Sequence, residues 1–165
     1  MAYMDEKVFK KHISSKKFNN IYIVFGDDKY LVKHYSKELT QAVAGKEPCE
    51  FAFHQLSSDS SVQEIADAVG VVPFMAEYNC VLLKDYDVSS LDKTGYDNLT
   101  DALKAVPDTT VVIFSYPTMT SKPEKAKEDD SQDGKPMRNY FKTLCTAVDK
   151  MGMGCVAELN MRSAT

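Results

Sequence analysis

The sequence predicts an α/β fold in three layers, with a parallel sheet of five strands between two layers of helices. Two observations carry this prediction. Strand-type and helix-type segments alternate along the 165 residues, and such alternation implies right-handed crossovers between parallel strands. The runs Ile21–Phe25 and Thr110–Ser115 are rich in Val, Ile and Phe, which is typical of strands buried on both faces. The length suits one well-cored domain, residues 1–165.

The first elements are a short helix and a strand. We expect the helix around residues 5–14, with Val8 and Ile13 as its apolar contacts, followed by the strand Ile21–Phe25. A solvated amphipathic helix is favoured over a DNA contact as the explanation for a nearby group of lysines. These are Lys7, Lys10, Lys11, Lys16 and Lys17.

A longer helix follows the first strand. Asp27 or Asp28 can cap its amino end, because a carboxylate there accepts hydrogen bonds from free backbone N–H groups. Gly45 ends it. Apolar side chains recur along one stripe of this helix, namely Leu31, Tyr35, Leu39 and Val43.

The second strand is expected near Glu50–Gln55, where Phe51 and Phe53 alternate with polar neighbours. Ser61 and Glu64 then have the spacing of a capping box, so another helix begins there. The apolar stripe of this helix is Val62, Ile65, Ala66 and Val69.

The remaining elements continue the alternation. The third strand is Cys80–Lys84, and a helix at Tyr96–Val106 is stopped by Pro107 before the fourth strand, Thr110–Ser115. Residues 117–136 are polar, charged and rich in proline, which predicts a surface loop. A helix from Pro136 to about Gly152 precedes the fifth strand, Gly154–Glu158. The chain ends soon afterwards, which suggests a longer parent protein.

The turn after the first strand is where a nucleotide-binding α/β protein has its phosphate loop. That loop has the pattern GxxxxGK followed by Ser or Thr, which cradles phosphates and holds magnesium. This turn instead carries Gly26, Asp27 and Asp28, and two carboxylates repel phosphate. The sequence therefore predicts a nucleotide-binding scaffold without its nucleotide site, and no cofactor.

Composition limits the other possibilities. The net charge of −4 argues against nucleic acid as the main partner. No apolar run approaches the roughly 20 residues of a membrane span, and the amino terminus lacks the features of a signal peptide. A cytoplasmic location is expected. The cysteines show no metal-ligand spacing and are expected to be buried thiols: Cys49, Cys80, Cys145 and Cys155.

One alternative is a phosphoacceptor receiver-like signalling domain. Such domains hold magnesium with an acidic pair after the first strand, here Asp27 and Asp28, beside an Asp after the third strand. Asp85 has about that position, and Ser115 supplies a hydroxyl after the fourth strand. The required Lys after the fifth strand is missing, because the sequence there is Glu158, Leu159 and Asn160.

Nucleophilic catalysis has little support. The three histidines, His12, His34 and His54, lie in helix or strand segments without a neighbouring nucleophile motif such as GxSxG. We therefore expect no catalytic residues and no enzyme activity.

A protein-interaction module is the other class, and its best feature is the run Val71–Met75 between a helix and a strand. An aromatic side chain among apolar neighbours on a connection can fill a pocket of a partner. Phe74 is such a side chain. The spacing fits an exposed anchor and a core residue equally well.

Four segments have a characteristic order along the chain: IYIVFGDDKYLVKHY, VVPFMAEYNCVLLKDYD, VPDTTVVIF and GCVAEL. Together they resemble the delta subunit family of bacterial DNA polymerase III, which belongs to the clamp loader. The resemblance implies a degenerate AAA+-like N-terminal domain that does not hydrolyse ATP. It also implies that the family's helical second domain and collar follow residue 165.

The partners implied by this resemblance are the sliding clamp (beta subunit) and the other clamp-loader subunits. The latter would be contacted through the missing C-terminal region, and DNA only weakly or through the full complex. The family's clamp-binding hydrophobic pair falls on Pro73 and Phe74, with Val72 and Met75 beside it. Many relatives have Leu where this chain has Pro73.

Overall fold

A computed structural model of the chain describes residues 4–26, 28–73, 76–86, 88, 91–117 and 154–158, the last of these by backbone alone. Five strands form one sheet in the order β2-β3-β4-β1-β5, and every neighbouring pair is parallel. The strands are β1 Ile21–Phe25, β2 Phe53–Leu56, β3 Asn79–Lys84, β4 Thr110–Ser115 and β5 Gly154–Glu158. The predicted surface loop beyond 117 and the helix at 136–152 lie outside the described residues.

Four helices are described: α1 Glu6–Ser15, α2 Lys29–Ala44, α3 Val62–Val69 and α4 Lys93–Lys104. Each begins after a side chain that accepts a backbone N–H of the first turn, which satisfies a donor that the helix itself cannot. These N-caps are Asp5, Asp28, Ser61 and Asp92. None of the described helices is long and apolar enough to cross a membrane.

Helices cover both faces of the sheet. Ile21, Ile23 and Phe25 point into one buried cluster with residues of α3 and α4. Tyr22 and Val24 point into a second cluster with residues of α1 and α2. This alternation along β1 is the period of two that a strand imposes on its side chains. The parallel α/β architecture predicted from the sequence is confirmed.

The predicted positions of Val8 and Phe51 are wrong. In α1 the core contact is the buried Phe9 with Ile13, whereas Val8 is 49% exposed, because Phe9 and Ile13 share a helix face at i, i+4. The second strand begins at Phe53, and Phe51 is 61% exposed.

The position of Phe51 follows from a turn before β2. The N–H of Ala52 donates to the carbonyl of Cys49 at 2.8 Å, and the Cys80 N–H donates to the Ala52 carbonyl at 2.8 Å. Phe51 therefore lies in the turn, before the in-and-out alternation of β2 begins, and its side chain is exposed. Cys49 is only partly buried, contrary to prediction, and Cys80 is buried.

The last described helix also differs in extent. It begins at Lys93 rather than Tyr96, because Asp92 accepts the Gly95 N–H at 2.7 Å and fixes an earlier start. Its inward residues Leu99 and Leu103 are buried as predicted.

Candidate partner-binding site

The turn after β1 leads into α2, and a side chain of this turn binds the amino end of that helix. The Asp28 carboxylate accepts the Leu31 N–H at 3.1 Å and caps α2. A helix amino terminus is where a protein binds phosphate, through free N–H groups and the helix dipole. Here the Asp28 carboxylate already accepts one of those N–H groups. Asp27 lies outside the described residues.

The residues of the receiver-like alternative are not brought together. Receiver-type sheets have the order 2-1-3-4-5, with the first strand beside the third, whereas here β4 lies between β1 and β3. Two strand spacings, roughly 10 Å, therefore separate the chain after β1 from the chain after β3. The alternative is wrong on topology.

The groups around Asp85 have structural roles. Asp85 has a left-handed backbone (φ 51°) and its N–H donates to the Ser115 carbonyl at 2.7 Å. The Ser115 hydroxyl is buried against that of Ser36 at 2.7 Å. Among the described residues, no three His, Cys, Asp or Glu side chains are placed to hold a metal ion.

The histidines have separate surroundings. The Nε2 atom of His12 lies 2.6 Å from the Tyr22 hydroxyl, and partial burial lowers the pKa of His12. The His34 ring stacks on Tyr30 with 5.9 Å between centroids. The Nε2 of His54 is buried without a hydrogen-bond partner among the described residues. None of the three is paired with a serine or cysteine nucleophile in the contacts described.

The segment between α3 and β3, residues 70–78, is here called the connector, and its ends are fixed. At the α3 end, the Asn79 amide Nδ2 donates to the Ala68 carbonyl at 2.8 Å, and the Thr110 hydroxyl donates to the Val69 carbonyl at 3.2 Å. Asn79 and Thr110 are both buried. They donate to carbonyls of the last turn of α3, where the Ala68 carbonyl also accepts the Val71 N–H at 3.3 Å.

The other end of the connector is held by ring packing. Tyr78 meets Phe18 edge to face with 5.5 Å between centroids. The Asn79 N–H donates to the Thr109 carbonyl at 2.8 Å, which starts β3 in register. The connector therefore spans two rigid points of the fold.

The predicted partner-binding residues lie on this connector. Val72 is 79% exposed, the highest value among the large hydrophobic side chains described, and Pro73 is half-buried. Phe74 and Met75 lie outside the described residues, so the choice between anchor and core residue for Phe74 stays a prediction.

Sequence reasoning missed Asn79 and Thr110. The only sequence signal is the position of two polar residues at the starts of strands, Asn79 before the run Cys80–Leu83 and Thr110 before Val111. That signal does not identify the α3 carbonyls as their partners, because the contact depends on where α3 lies on the sheet.

Three comparisons relate this geometry to known proteins. A family model described as DNA polymerase III, delta subunit, matches residues 22–133. A search of curated protein sequences returns no match.

Among solved structures, the chain is similar to the Bacillus subtilis DNA clamp loader delta protein (YqeN). The TM-score is 0.64 at 15% identity, and the match covers 94% of this chain and 42% of that one. A DNA polymerase III gamma subunit-related protein from Thermotoga maritima matches with a TM-score of 0.49 at 18% identity, covering 86% of this chain and 56% of that one. The chain thus spans less than half the length of the Bacillus subtilis protein.

Proposed function

The chain belongs to the DNA polymerase III delta subunit family, and we propose that it binds the sliding clamp through Val72, Pro73, Phe74 and Met75 and helps to open it. The observation that carries this proposal is a largely exposed Val72 on a connector whose two ends are fixed. An exposed apolar group at a rigid position suits a partner's pocket, because less conformational entropy is lost on binding.

Opening of the clamp would need no chemistry in this chain. A ligand shifts a conformational equilibrium only by its difference in affinity for the two states. Tighter binding of the connector to a clamp with a loosened interface would supply that difference. ATP hydrolysis would belong to partner subunits, and this chain would be an accessory subunit without cofactors.

We also propose that the scaffold is a degenerate AAA+-like domain. In support, Gly26–Lys33 lacks the P-loop pattern, and the Asp28 carboxylate already accepts an N–H at the amino end of α2. A carboxylate at that position disfavours an approaching triphosphate by like-charge repulsion.

The decisive experiment measures binding of Phe74→Ala and Val72→Ser variants to the organism's sliding clamp by surface plasmon resonance, beside thermal melts. Truncation of a central aromatic anchor costs about 2–4 kcal/mol, or ~30- to 1000-fold in affinity. Val72→Ser should weaken clamp binding while changing stability by less than about 0.5 kcal/mol, because the side chain is exposed.

Phe51→Ala is the matched control, since Phe51 is an exposed aromatic on a different turn. It should leave clamp affinity unchanged. If Phe74 is a core residue, its truncation should instead cost about 3–5 kcal/mol of folding stability. A large loss of stability with unchanged clamp affinity in both connector variants would contradict the site assignment.

We propose that residues 1–165 are the N-terminal domain of a longer subunit, which acts in the cytoplasm without a membrane partner. The share of the Bacillus subtilis chain that is covered, 42%, supports this division. The 165-residue chain should bind the clamp but fail to assemble with the ATPase subunits, because the collar would carry those contacts. Size-exclusion chromatography with the partner subunits is the test, and stable incorporation would contradict the division.

A further inference from the structure

A groove of about 550 Å³ lies between α2 and the strands β2 and β3. On the opposite flank of α2 the neighbour is α1, where the Tyr35 hydroxyl donates to a Glu6 carboxylate oxygen at 2.9 Å. The groove has as its floor side chains of the sheet, Phe53 and Leu82 among them, and as one wall the exposed side of α2. It is on the face of the sheet opposite to α3, so it is separate from the proposed clamp-binding surface.

The walls of this groove are basic although the chain is acidic. Lys33, Lys37, Lys46 and Lys84 line it, and all four are exposed. Asp85 is the single acidic side chain among the described residues that line it. A cleft lined by one sign of charge concentrates ligands of the opposite sign, even where the net charge of the chain is −4.

The lysines on α2 also form a row. Lys29, Lys33 and Lys37 follow one another at i, i+4 spacing, so they succeed one another by about 6 Å along the helix axis. Long, flexible side chains at this spacing can reach neighbouring phosphates of an extended strand. Gln41 has the next i, i+4 position after Lys37 and also lines the groove.

An aromatic platform stands beside this row. Tyr30 is 72% exposed, and its ring lies nearly parallel to that of His34, at 9° and 5.9 Å between centroids. Both residues are on the exposed side of α2, next to Lys33 and Lys37. A large, exposed and already stacked ring is a surface on which an unpaired base can add to the stack.

We propose that this face of α2, with its groove, binds single-stranded nucleic acid. The phosphates lie along Lys29, Lys33 and Lys37, and a base stacks on Tyr30. Single strands are bound by such combinations of a positively charged groove and aromatic rings. In a duplex the base faces are already stacked and cannot pack on Tyr30. An acidic peptide could pair with the lysines but has no base to stack on the Tyr30 ring. The lysines of α1 make a shallow surface, and none of the described aromatic rings is exposed on it.

The test is fluorescence anisotropy of a labelled oligo-dT with the 165-residue chain over a series of salt concentrations. Lys33→Gln with Lys37→Gln should lower the slope of log K against log salt by about 1.4, since each phosphate contact to a single strand contributes about 0.7. Tyr30→Ala should weaken binding by roughly 5- to 150-fold, the loss of one stacked base. Tyr30→Phe should bind as the parent chain does.

Lys93→Gln with Lys104→Gln makes the same charge change on α4, on the other face, and should leave binding unaltered. Lys7→Gln with Lys11→Gln tests the α1 surface in the same way. An equal loss from either control pair, tighter binding of a duplex, or competition by poly-glutamate as strong as that by oligo-dT would overturn the proposal. None of these variants touches the connector, so clamp binding can fail or succeed independently.

Discussion

The turn after β1 and the connector after α3 are both connections at an edge of the same sheet, yet they differ in what they leave open. At the turn, one of the backbone N–H groups that could bind an anion is satisfied internally, since the Asp28 carboxylate accepts the Leu31 N–H. On the connector, the polar groups of the ends are satisfied by Asn79 and Thr110, while the apolar Val72 is left in solvent.

This difference separates two kinds of function. A site for a small anion needs hydrogen-bond donors that are free to bind it. In the turn, the Leu31 N–H is not free, because it donates to Asp28. A protein interface needs apolar surface at a defined position, and fixed ends give the connector that position. The same scaffold can therefore lose a ligand site at one edge and gain a partner site at another without changing its core.

The largest effect is expected when the support of the connector is removed. Asn79→Ala removes a buried amide that donates to the Ala68 carbonyl at 2.8 Å and lies 3.4 Å from the Thr110 hydroxyl. Loss of these two hydrogen bonds should lower the free energy of unfolding by about 1–3 kcal/mol. Urea denaturation measures this loss. Clamp affinity should fall as well, because the start of the connector is no longer fixed.

Asn20→Ala is the control for that variant. The Asn20 amide donates to the Thr110 carbonyl at 2.9 Å near the same strand start, and its other described acceptors are the Pro107 and Asp108 carbonyls rather than a group of α3. It should lower stability without changing clamp affinity. If Asn79→Ala leaves the clamp affinity of the folded protein unchanged, rigidity of the connector has no part in binding.

A smaller effect is expected at the closed turn. Asp28→Ala removes the cap of α2 and should cost about 1 kcal/mol of stability. Asp92→Ala removes the equivalent cap of α4 and should cost a similar amount. Titration calorimetry should find no micromolar Mg-ATP binding in the parent chain or in either variant. Gain of Mg-ATP binding by Asp28→Ala alone would show that the carboxylate is the only obstacle to a nucleotide site.

The smallest expected effect concerns His12 on α1, whose ring contacts Tyr22 near the start of β1. β1 is the strand that leads into the closed turn. Partial burial lowers the pKa of His12 from 6.5, so the folded state prefers the neutral imidazole. The unfolded state then binds more protons just below pH 6.5, and stability falls as pH drops through the lowered pKa. Urea midpoints at about pH 7.5 and about pH 5.5 should therefore differ less in His12→Gln than in the parent chain. An equal difference would remove His12 as a contributor.

The features that were predicted correctly are those encoded locally. They include the limits of β1 and β4, the cap at Ser61, the end of α2 at Gly45 and the cap of α2, for which Asp27 and Asp28 were the two candidates and Asp28 is the one observed. Each depends on a few neighbouring residues. Phe51 was misplaced because alternation was extended through a turn whose hydrogen bonds involve Cys80, far along the chain.

The candidate site was predictable only in part. The apolar run Val71–Met75 is visible in the sequence, and the exposure of Val72 agrees with an interaction surface. The support from Asn79 and the basic groove beside α2 were not predictable, because each joins residues from separate elements. Lys33 and Lys84, for example, become neighbours only when α2 packs over β3.

The position of β1 within the sheet has a consequence for how the chain folds. Ile21 pairs with Val112 on one side and with Gly154 on the other, whereas the pairs β2–β3 and β3–β4 join strands that follow one another in the chain. Closing long loops is entropically costly and slows folding. During synthesis, β1 is made first but can pair only after β4 and β5 have been made. We expect β2, β3 and β4 with α3 and α4 to assemble first, and β1 to complete the sheet last.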